Sequence, residues 1–181
     1  MRLKYHYNYN IKNDLITKFH YNNPMQLGRI KRIILKTSLN DTIQQHKKIL
    51  LLKIALENIT AQSPKNILAK KSVANFKLKK GVLISCKTTL RKNQLYNFLN
   101  KLIILVFPKI KDFSGLKLKN NCVTNSITFG LKNIQSFLEI EQQYNKFLKP
   151  FGVDINIKTN TKHIKQQTTI LTSYQIPCKY I

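Results

Sequence analysis

The sequence has 181 residues, of which 43% are apolar, so it can bury the core of a globular domain and is not a disordered chain. Thirty-two Lys and Arg residues oppose seven Asp and Glu residues, which gives a formal net charge of +25 and leaves no enzyme-like cluster of carboxylates. Positive charge on this scale destabilises a compact fold unless a polyanion neutralises it, so nucleic acid is the leading partner class.

The N-terminal third is predicted to hold an arm, a strand and two helices. Residues 1–10 are polar and aromatic and are predicted to be a flexible arm, whose tyrosines either pack loosely or stack on RNA bases. Residues 11–181 are predicted to form a single domain. A weak apolar stripe predicts a helix over 11–19, and Arg29–Leu35 is the first core strand. An amphipathic helix over 43–60 follows, with its apolar stripe in the core.

The most unusual stretch of the chain is Pro64–Lys92, which holds nine Lys or Arg residues and no acid. Two short strands, Asn66–Lys70 and Val82–Leu90, are predicted here, and the second alternates between two faces. Residues 71–81 lie between them as a long basic tip. Because this span contains no acidic partner, its charge must either meet an external polyanion or stay in solvent.

The remaining elements complete an α+β fold. Asn93 is predicted to cap a helix that stops at Pro108, and a polar loop follows. Strands are predicted at Ser126–Lys132 and Val153–Thr159, and a final helix at 161–173. Together these elements predict a mixed or antiparallel sheet with helices packed on one face and a protruding basic β-hairpin loop. The other face of the sheet is then open for RNA.

The residues that could carry chemistry do not form a catalytic or metal site in the sequence. The four histidines are scattered, and the cysteines, Cys86, Cys122 and Cys178, are isolated from one another and from any histidine pair. Cys86 lies in a strand pattern and is interpreted as a buried structural residue rather than a reactive thiol. We therefore predict no enzyme activity, no cofactor and no metal, and a reducing compartment.

The composition also bears on where the gene resides. Lys, Ile and Asn number 28, 23 and 19, and all three have AT-rich codons, as in organellar genomes, parasite plastids and reduced endosymbionts. The stretch MRLKYHYNYN has neither the apolar core of a secretion signal nor the Arg- and Ser-rich character of a transit peptide. These features predict synthesis inside an organelle. We expect a mitochondrion, with a plastid or apicoplast as the alternative.

Three blocks of sequence, in order along the chain, share the pattern of a known family. They are Ala69–Leu78 (AKKSVANFKL), Cys86–Arg91 (CKTTLR) and Phe107–Leu116 (FPKIKDFSGL). These blocks resemble the signatures of the bacterial-type large-subunit ribosomal protein L-five family, and weaker matches extend the resemblance over about residues 11–178. Two departures are Asn75, where the family has a glycine, and Lys36, where it has an asparagine.

The resemblance implies a structural protein of the central protuberance of the large ribosomal subunit. Its partners would be large-subunit rRNA, 5S rRNA or its substitute, P-site tRNA, a small-subunit head protein across an intersubunit bridge, and other central-protuberance proteins. Carried over by position, the tRNA-facing loop comprises Lys70, Lys71, Ser72, Asn75, Phe76, Lys77, Lys79 and Lys80. The rRNA-binding residues comprise Gln26, Lys36, Gln62, Lys87, Thr89 and Arg91.

Two other partner classes compete with this interpretation. A non-ribosomal basic RNA-binding chaperone or nucleic-acid accessory protein would explain the charge, but not the ordered series of motifs. An anionic membrane favours one long basic amphipathic helix, whereas the positive charge here is spread over the whole chain. We therefore expect no membrane partner.

Overall fold

An antiparallel sheet forms the frame of the fold. The computed structural model describes residues 2–21, 23–38, 46–76, 78–111, 113–118, 125–147, 151–161 and 163–180. Within them the strands are β1 (Ile30–Ser38), β2 (Lys65–Leu68), β3 (Leu83–Leu90), β4 (Leu116–Leu118), β5 (Ser126–Leu131), β6 (Val153–Thr159) and β7 (Cys178–Tyr180). Five of them form the antiparallel sheet, in the order β2-β3-β1-β6-β5, and β4 pairs with β7 separately.

Helices of very different length accompany the strands. They are α1 (Arg2–His6), α2 (Lys12–Phe19), α3 (His46–Thr60), α4 (Lys92–Lys101), α5 (Phe107–Lys109), α6 (Leu138–Glu141) and α7 (Ile164–Ser173). Two π-helical turns, Tyr7–Ile11 and Leu102–Val106, continue α1 into α2 and α4 into α5. The α+β class predicted from the sequence is confirmed.

Side chains of the long strands point alternately to a buried and to an accessible face. The strands could therefore be predicted from the alternation of apolar and polar residues. On β6, Val153, Ile155 and Ile157 are buried, whereas Asp154 is exposed. Apolar side chains leave water on one face of a pleated strand and polar side chains remain hydrated on the other. β6 has the bounds predicted for it, and β1 runs past its predicted end to Ser38.

The chain divides into two compact units. The first consists of Met1–Ile33, Arg91–Phe129 and Asn156–Ile181, and the second of Ile34–Leu90 and Gly130–Ile155. Fully buried side chains in the first unit include Ile11, Leu15, Leu95, Leu99 and Ile170. Those in the second include Leu52, Leu56, Cys86, Leu90 and Ile140.

Residues 2–10 are helical, unlike the flexible arm expected for residues 1–10. Residues four apart are neighbours on a helix, so Tyr5 and Tyr9 share one face and Tyr7 lies on another. Tyr5 and Tyr9 are 62% and 70% exposed. Tyr7 is stacked on Tyr174 at 6.5 Å between ring centroids, and its hydroxyl donates to the Gly28 carbonyl at 2.9 Å. Burial raises the pKa of Tyr7 to about 12, so the hydroxyl keeps the proton that it donates.

The predicted helix over 93–108 begins and ends differently from the expectation. It starts at Lys92, with Arg91 as the N-cap residue, so Asn93 is not its cap. Pro108 does not stop the helix either, because it lies in the first positions of the short last turn, where its missing N–H is no loss. The π-helical turn before it changes the hydrogen-bond register and lets the chain enter that turn.

A parallel pair of short strands lies where a polar loop was expected. β4 pairs with β7, with Leu116 opposite Cys178, and the Leu116 N–H donates to the Pro177 carbonyl at 2.8 Å. Gly115 precedes this pair with a φ of +97°. A Cβ atom at Gly115 would lie 3.2 Å from the Pro177 carbonyl oxygen. The turn thus needs glycine at position 115, because φ is positive and because a side chain would press against Pro177.

We expect Gly115→Ala to lower the free energy of unfolding by about 2–3 kcal/mol, the sum of left-handed strain and a forced contact with Pro177. Gly81→Ala is the matched control, because Gly81 has a φ of +88° but nothing within 4 Å of an added Cβ. Gly81→Ala should lower the free energy of unfolding by the left-handed strain alone, about 1–2 kcal/mol. Urea unfolding measures both, and a larger loss at Gly81 would contradict this account of the turn.

In the second unit a long helix covers one face of the hairpin strands. α3 packs against β3 and α6 packs against α3. Leu52 and Leu56 are buried, as the helical stripe predicted, whereas the predicted first turn at 43–45 lies outside the described residues. The last turn of α3 is closed by Thr60, whose hydroxyl donates to the Leu56 carbonyl at 2.7 Å. The opposite face of β3 therefore has no helical cover from α3.

Candidate nucleic-acid interface

Two sets of backbone hydrogen bonds join the described residues of the basic tip into one hairpin. At its base, the Ala69 N–H donates to the Val82 carbonyl at 2.8 Å, and the Gly81 N–H donates to the Ala69 carbonyl at 3.0 Å. Further out, Val73 and Leu78 exchange both backbone hydrogen bonds, at 2.9 and 3.1 Å. Ala69 is buried and anchors the base, and Gly81 supplies the positive φ that closes it.

Four lysines of the tip project into solvent, and we call Lys70, Lys71, Lys79 and Lys80 the tip lysines. No ion pair joins any of them to an acid within the part of the chain that the structure describes, and the sequence has no acid between Glu57 and Asp112. Ser72 and Asn75 are also exposed. Phe76 belongs to a short 3-10 turn, Ala74–Phe76, but its side chain lies outside the described residues, as does all of Lys77.

The face of the hairpin strands opposite α3 is polar and basic. On β3, Cys86, Thr88 and Leu90 are buried, whereas Lys87 and Thr89 point the other way and are half-buried. β1 alternates in the same manner, with Leu35 and Thr37 buried and Lys36 exposed. We call Lys36, Lys65, Lys87 and Thr89 the polar face. Three of the predicted rRNA-binding residues, Lys36, Lys87 and Thr89, thus lie on one side of the second unit.

Lys65 was missed by the sequence analysis and is the direct neighbour of Lys87. The register of the hairpin places the two residues opposite each other, and Asn66 opposite Cys86. Opposed residues of an antiparallel pair have Cβ atoms roughly 5 Å apart, so two ammonium groups share a small area. Neither forms an ion pair with an acid in the part of the chain that the structure describes. Counting outward from the tip would place Lys65 opposite Cys86, but the bulge between Ile67 and Leu68 shifts the register by one residue and places it opposite Lys87.

The other predicted rRNA-binding residues lie elsewhere. Gln62 is half-buried just after α3, and its carbonyl accepts from the Thr60 hydroxyl at 3.1 Å. Gln26 is exposed in the 3-10 turn Pro24–Gln26, and Arg91 is exposed at the start of α4, both in the first unit. Their RNA-binding role stays a prediction.

The thiols do not have the environment of catalytic groups. Cys86 is buried, its Sγ donates to Asn66 Oδ1 at 3.8 Å, and burial raises its pKa even though Lys53 opposes the shift. Burial raises the pKa of Cys178 to about 11. Cys122 lies outside the described residues. Both described thiols therefore stay protonated at neutral pH and are poor nucleophiles.

Two further searches of the described residues gave negative results. No group of His, Cys, Asp and Glu side chains in these ranges is arranged to hold a metal ion. None of the helices in the same ranges combines the length and the apolar character needed to span a bilayer.

Comparison with known proteins gives a consistent result. Residues 83–178 match the profile for the C-terminus of the ribosomal L5 family. A protein of Reclinomonas americana called large ribosomal subunit protein uL5m is 40% identical over 176 residues, which covers 97% of each chain. The protein of Wolbachia pipientis subsp. Culex pipiens called large ribosomal subunit protein uL5 is 36% identical over 171 residues, covering 94% of this chain and 95% of that one.

Proposed function

Because the chain belongs to the ribosomal L5 family, a family of structural large-subunit proteins, we propose that it serves in a mitochondrial ribosome and binds RNA through the polar face and the tip lysines. Family membership also confirms that the protein is not an enzyme. The sequence thus identified the family correctly. The observation that carries the proposed RNA contact is the polar face, which concentrates lysines on strands whose reverse side is packed.

The polar face is suited to a phosphate backbone. Lysine heads neutralise phosphates without reading sequence, whereas the Thr89 hydroxyl can bond to riboses or base edges. We assign this face to rRNA of the central protuberance, either 5S rRNA or the RNA that takes its place. Lys36, where the family has an asparagine, adds charge but loses an amide that could read a base, so phosphate contacts dominate here.

The tip is suited to a second, separate RNA. Its lysines lie on a hydrogen-bonded hairpin beyond the end of β2 and β3, in a stretch of sequence that has no acid between Glu57 and Asp112 to repel phosphate. We assign the tip to P-site tRNA. A small-subunit head protein across an intersubunit bridge completes the proposed set of partners, and its contact rests on the family resemblance alone.

The proposed location rests on the relatives and the composition. The relative from Reclinomonas americana carries the mitochondrial form of the name, uL5m. The excess of Lys, Ile and Asn agrees with an organellar gene. A plastid or apicoplast ribosome is the alternative, and mass spectrometry of purified organelles distinguishes it.

We expect the affinity of the protein for rRNA fragments to fall steeply with salt. Each phosphate neutralised by a lysine contributes about −0.7 to −0.9 to the slope of log affinity against log salt concentration. Filter binding across a salt series measures this slope. A flat response would remove phosphate contacts from the proposal.

Sedimentation tests the ribosomal assignment itself. In a high-magnesium gradient of organelle extract, the protein should sediment with the large subunit and with intact ribosomes. A protein that stays at the top of the gradient while binding RNA would instead fit the alternative of a free RNA-binding chaperone.

A further inference from the structure

The outer face of α3 is apolar, although it points away from the core of the second unit. Leu50, Leu51 and Ile54 on this face are 59%, 38% and 37% exposed. Between Ile49 and Leu56 the only residue that is not apolar is Lys53. A helix that is apolar on all sides is normally buried on all sides. The core of the second unit covers the inner side of α3, and the outer side has no cover from the described residues.

Helical spacing brings the three exposed side chains into one patch. Leu50 and Ile54 are four residues apart, and Leu51 and Ile54 are three apart, so both pairs are neighbours on the helix surface. We call Leu50, Leu51 and Ile54 the α3 patch. Lys53 lies beside it and is half-buried, and Glu57 lies one turn further along and is exposed. The patch is therefore a short apolar ridge with charged neighbours.

The α3 patch is separate from the surfaces proposed for RNA. The inner side of α3 packs against β3, and the polar face lies on the opposite side of that strand. RNA bound to the polar face would therefore leave the α3 patch uncovered. The patch also has the wrong chemistry for RNA, because leucine and isoleucine side chains neither neutralise phosphates nor bond to riboses.

Charge and shape select among the possible occupants of the patch. The sequence from Thr42 to Leu56 holds three lysines and no acid. A second copy of the chain would bring the same positive charge to a self-complementary contact and would be repelled. A helix that binds a bilayer immerses its main apolar face, whereas the main apolar face of α3 is already buried in the core. The remaining candidate is another protein with acidic residues.

We propose that the α3 patch binds an amphipathic helix of another protein, with Asp or Glu residues beside the apolar stripe of that helix. The ridge of Leu50 and Ile54 would fit between side chains of the partner helix, as ridges and grooves of packed helices do. An acid of the partner would face Lys53. The proposal goes beyond the proposed function, because it needs neither the polar face nor the tip lysines.

The test uses the full-length protein and a synthetic peptide of Leu, Ala, Gln and Glu. The peptide is about 18 residues long, or about five turns of helix, with leucines three and four residues apart. Leu50→Gln with Ile54→Gln should weaken peptide binding at least about tenfold, because two apolar side chains no longer leave water. Affinity for rRNA fragments and the midpoint of urea unfolding should stay nearly unchanged, since both side chains are exposed in the free protein.

Two controls separate the patch from general stickiness and from general charge. Leu68→Gln with Val73→Gln removes two apolar side chains of similar exposure outside α3, 54% and 40%, and should not change peptide binding. A second peptide with lysine in place of glutamate should bind the unsubstituted protein at least about tenfold more weakly, because it meets Lys53 and the net charge of +25.

Several results would overturn the proposal. Equal peptide affinities for the two double variants, or equal affinities of the two peptides, would remove the α3 patch or its charge from the contact. A dimer of the free protein that Leu50→Gln with Ile54→Gln abolishes would assign the patch to a second copy, and loss of binding to anionic phospholipid vesicles in that variant would assign it to a membrane. Each result leaves the proposed function standing, which fails only if the unsubstituted protein does not bind rRNA fragments.

Discussion

Substitution of the tip lysines by alanine is expected to lower tRNA affinity at 0.1 M salt by about 25-fold if two of them contact phosphates, and by about 600-fold if all four do. Each lost contact removes about 0.7 from the salt slope, which equals a factor of about five at this concentration. The fold should be unaffected, because all four side chains are exposed and none has an ion-pair partner among the described residues. Filter binding over a salt series measures affinity and slope together.

The control for this result removes the same number of charges elsewhere. Exposed lysines outside the tip and the polar face are suitable: Lys12, Lys18, Lys132 and Lys146. An equal loss of affinity in that variant would mean that overall charge, not the tip, attracts the RNA. Incorporation of the tip variant into large subunits should remain near normal. Loss of incorporation would instead make the tip an rRNA anchor and contradict its assignment to tRNA.

Reversal of charge on the polar face should separate stability from binding. We expect Lys36→Glu with Lys87→Glu to lower rRNA affinity by at least about 25-fold, because two phosphate contacts are replaced by repulsion. The free protein should nevertheless become more stable, by about 0.2–1 kcal/mol, since the carboxylate introduced by the second substitution would face Lys65 across the hairpin and replace a like-charge pair. Urea unfolding measures the change in stability, and filter binding on the same samples measures the change in rRNA affinity.

The opposite signs of these two effects make the test decisive. A structural role for Lys36 and Lys87 would lower stability and affinity together. The matched reversal, Lys132→Glu with Lys146→Glu, changes the net charge equally at exposed positions that do not belong to the polar face. It should reduce rRNA affinity much less. An effect as large as that of the first pair would remove the polar face from the proposed interface.

Local patterns were sufficient to predict much of the fold. The alternation of Val153, Ile155 and Ile157 with polar residues gave β6 its bounds, because one buried face is enough to impose a period of two. The apolar stripe of α3 predicted that helix for the same reason, because its one buried face imposes a helical period on the sequence. Family motifs then supplied the identity that composition and charge could not provide.

Other features depend on contacts between residues distant in sequence and left no local signal. The N-terminal helix is held by Tyr7 against Tyr174, a contact that no pattern within residues 1–10 reveals. β4 forms only because β7, near the other end of the chain, lies beside it. The same limit applies to the candidate site. The tip could be found from its charge, whereas Lys65 and Lys87 come together only in the folded chain.

The backbone hydrogen bonds of the tip have a consequence for the timing of ligand exchange. Since Val73 and Leu78 already pair in the unbound protein, little backbone ordering accompanies binding, and the encounter with RNA can be fast. Each lysine contact is separately weak and screened by salt, so the contacts can break one after another rather than all at once. The proposed contact with P-site tRNA would need a surface of this kind, because a tRNA that moves on in every elongation cycle must be bound quickly and released without a high barrier.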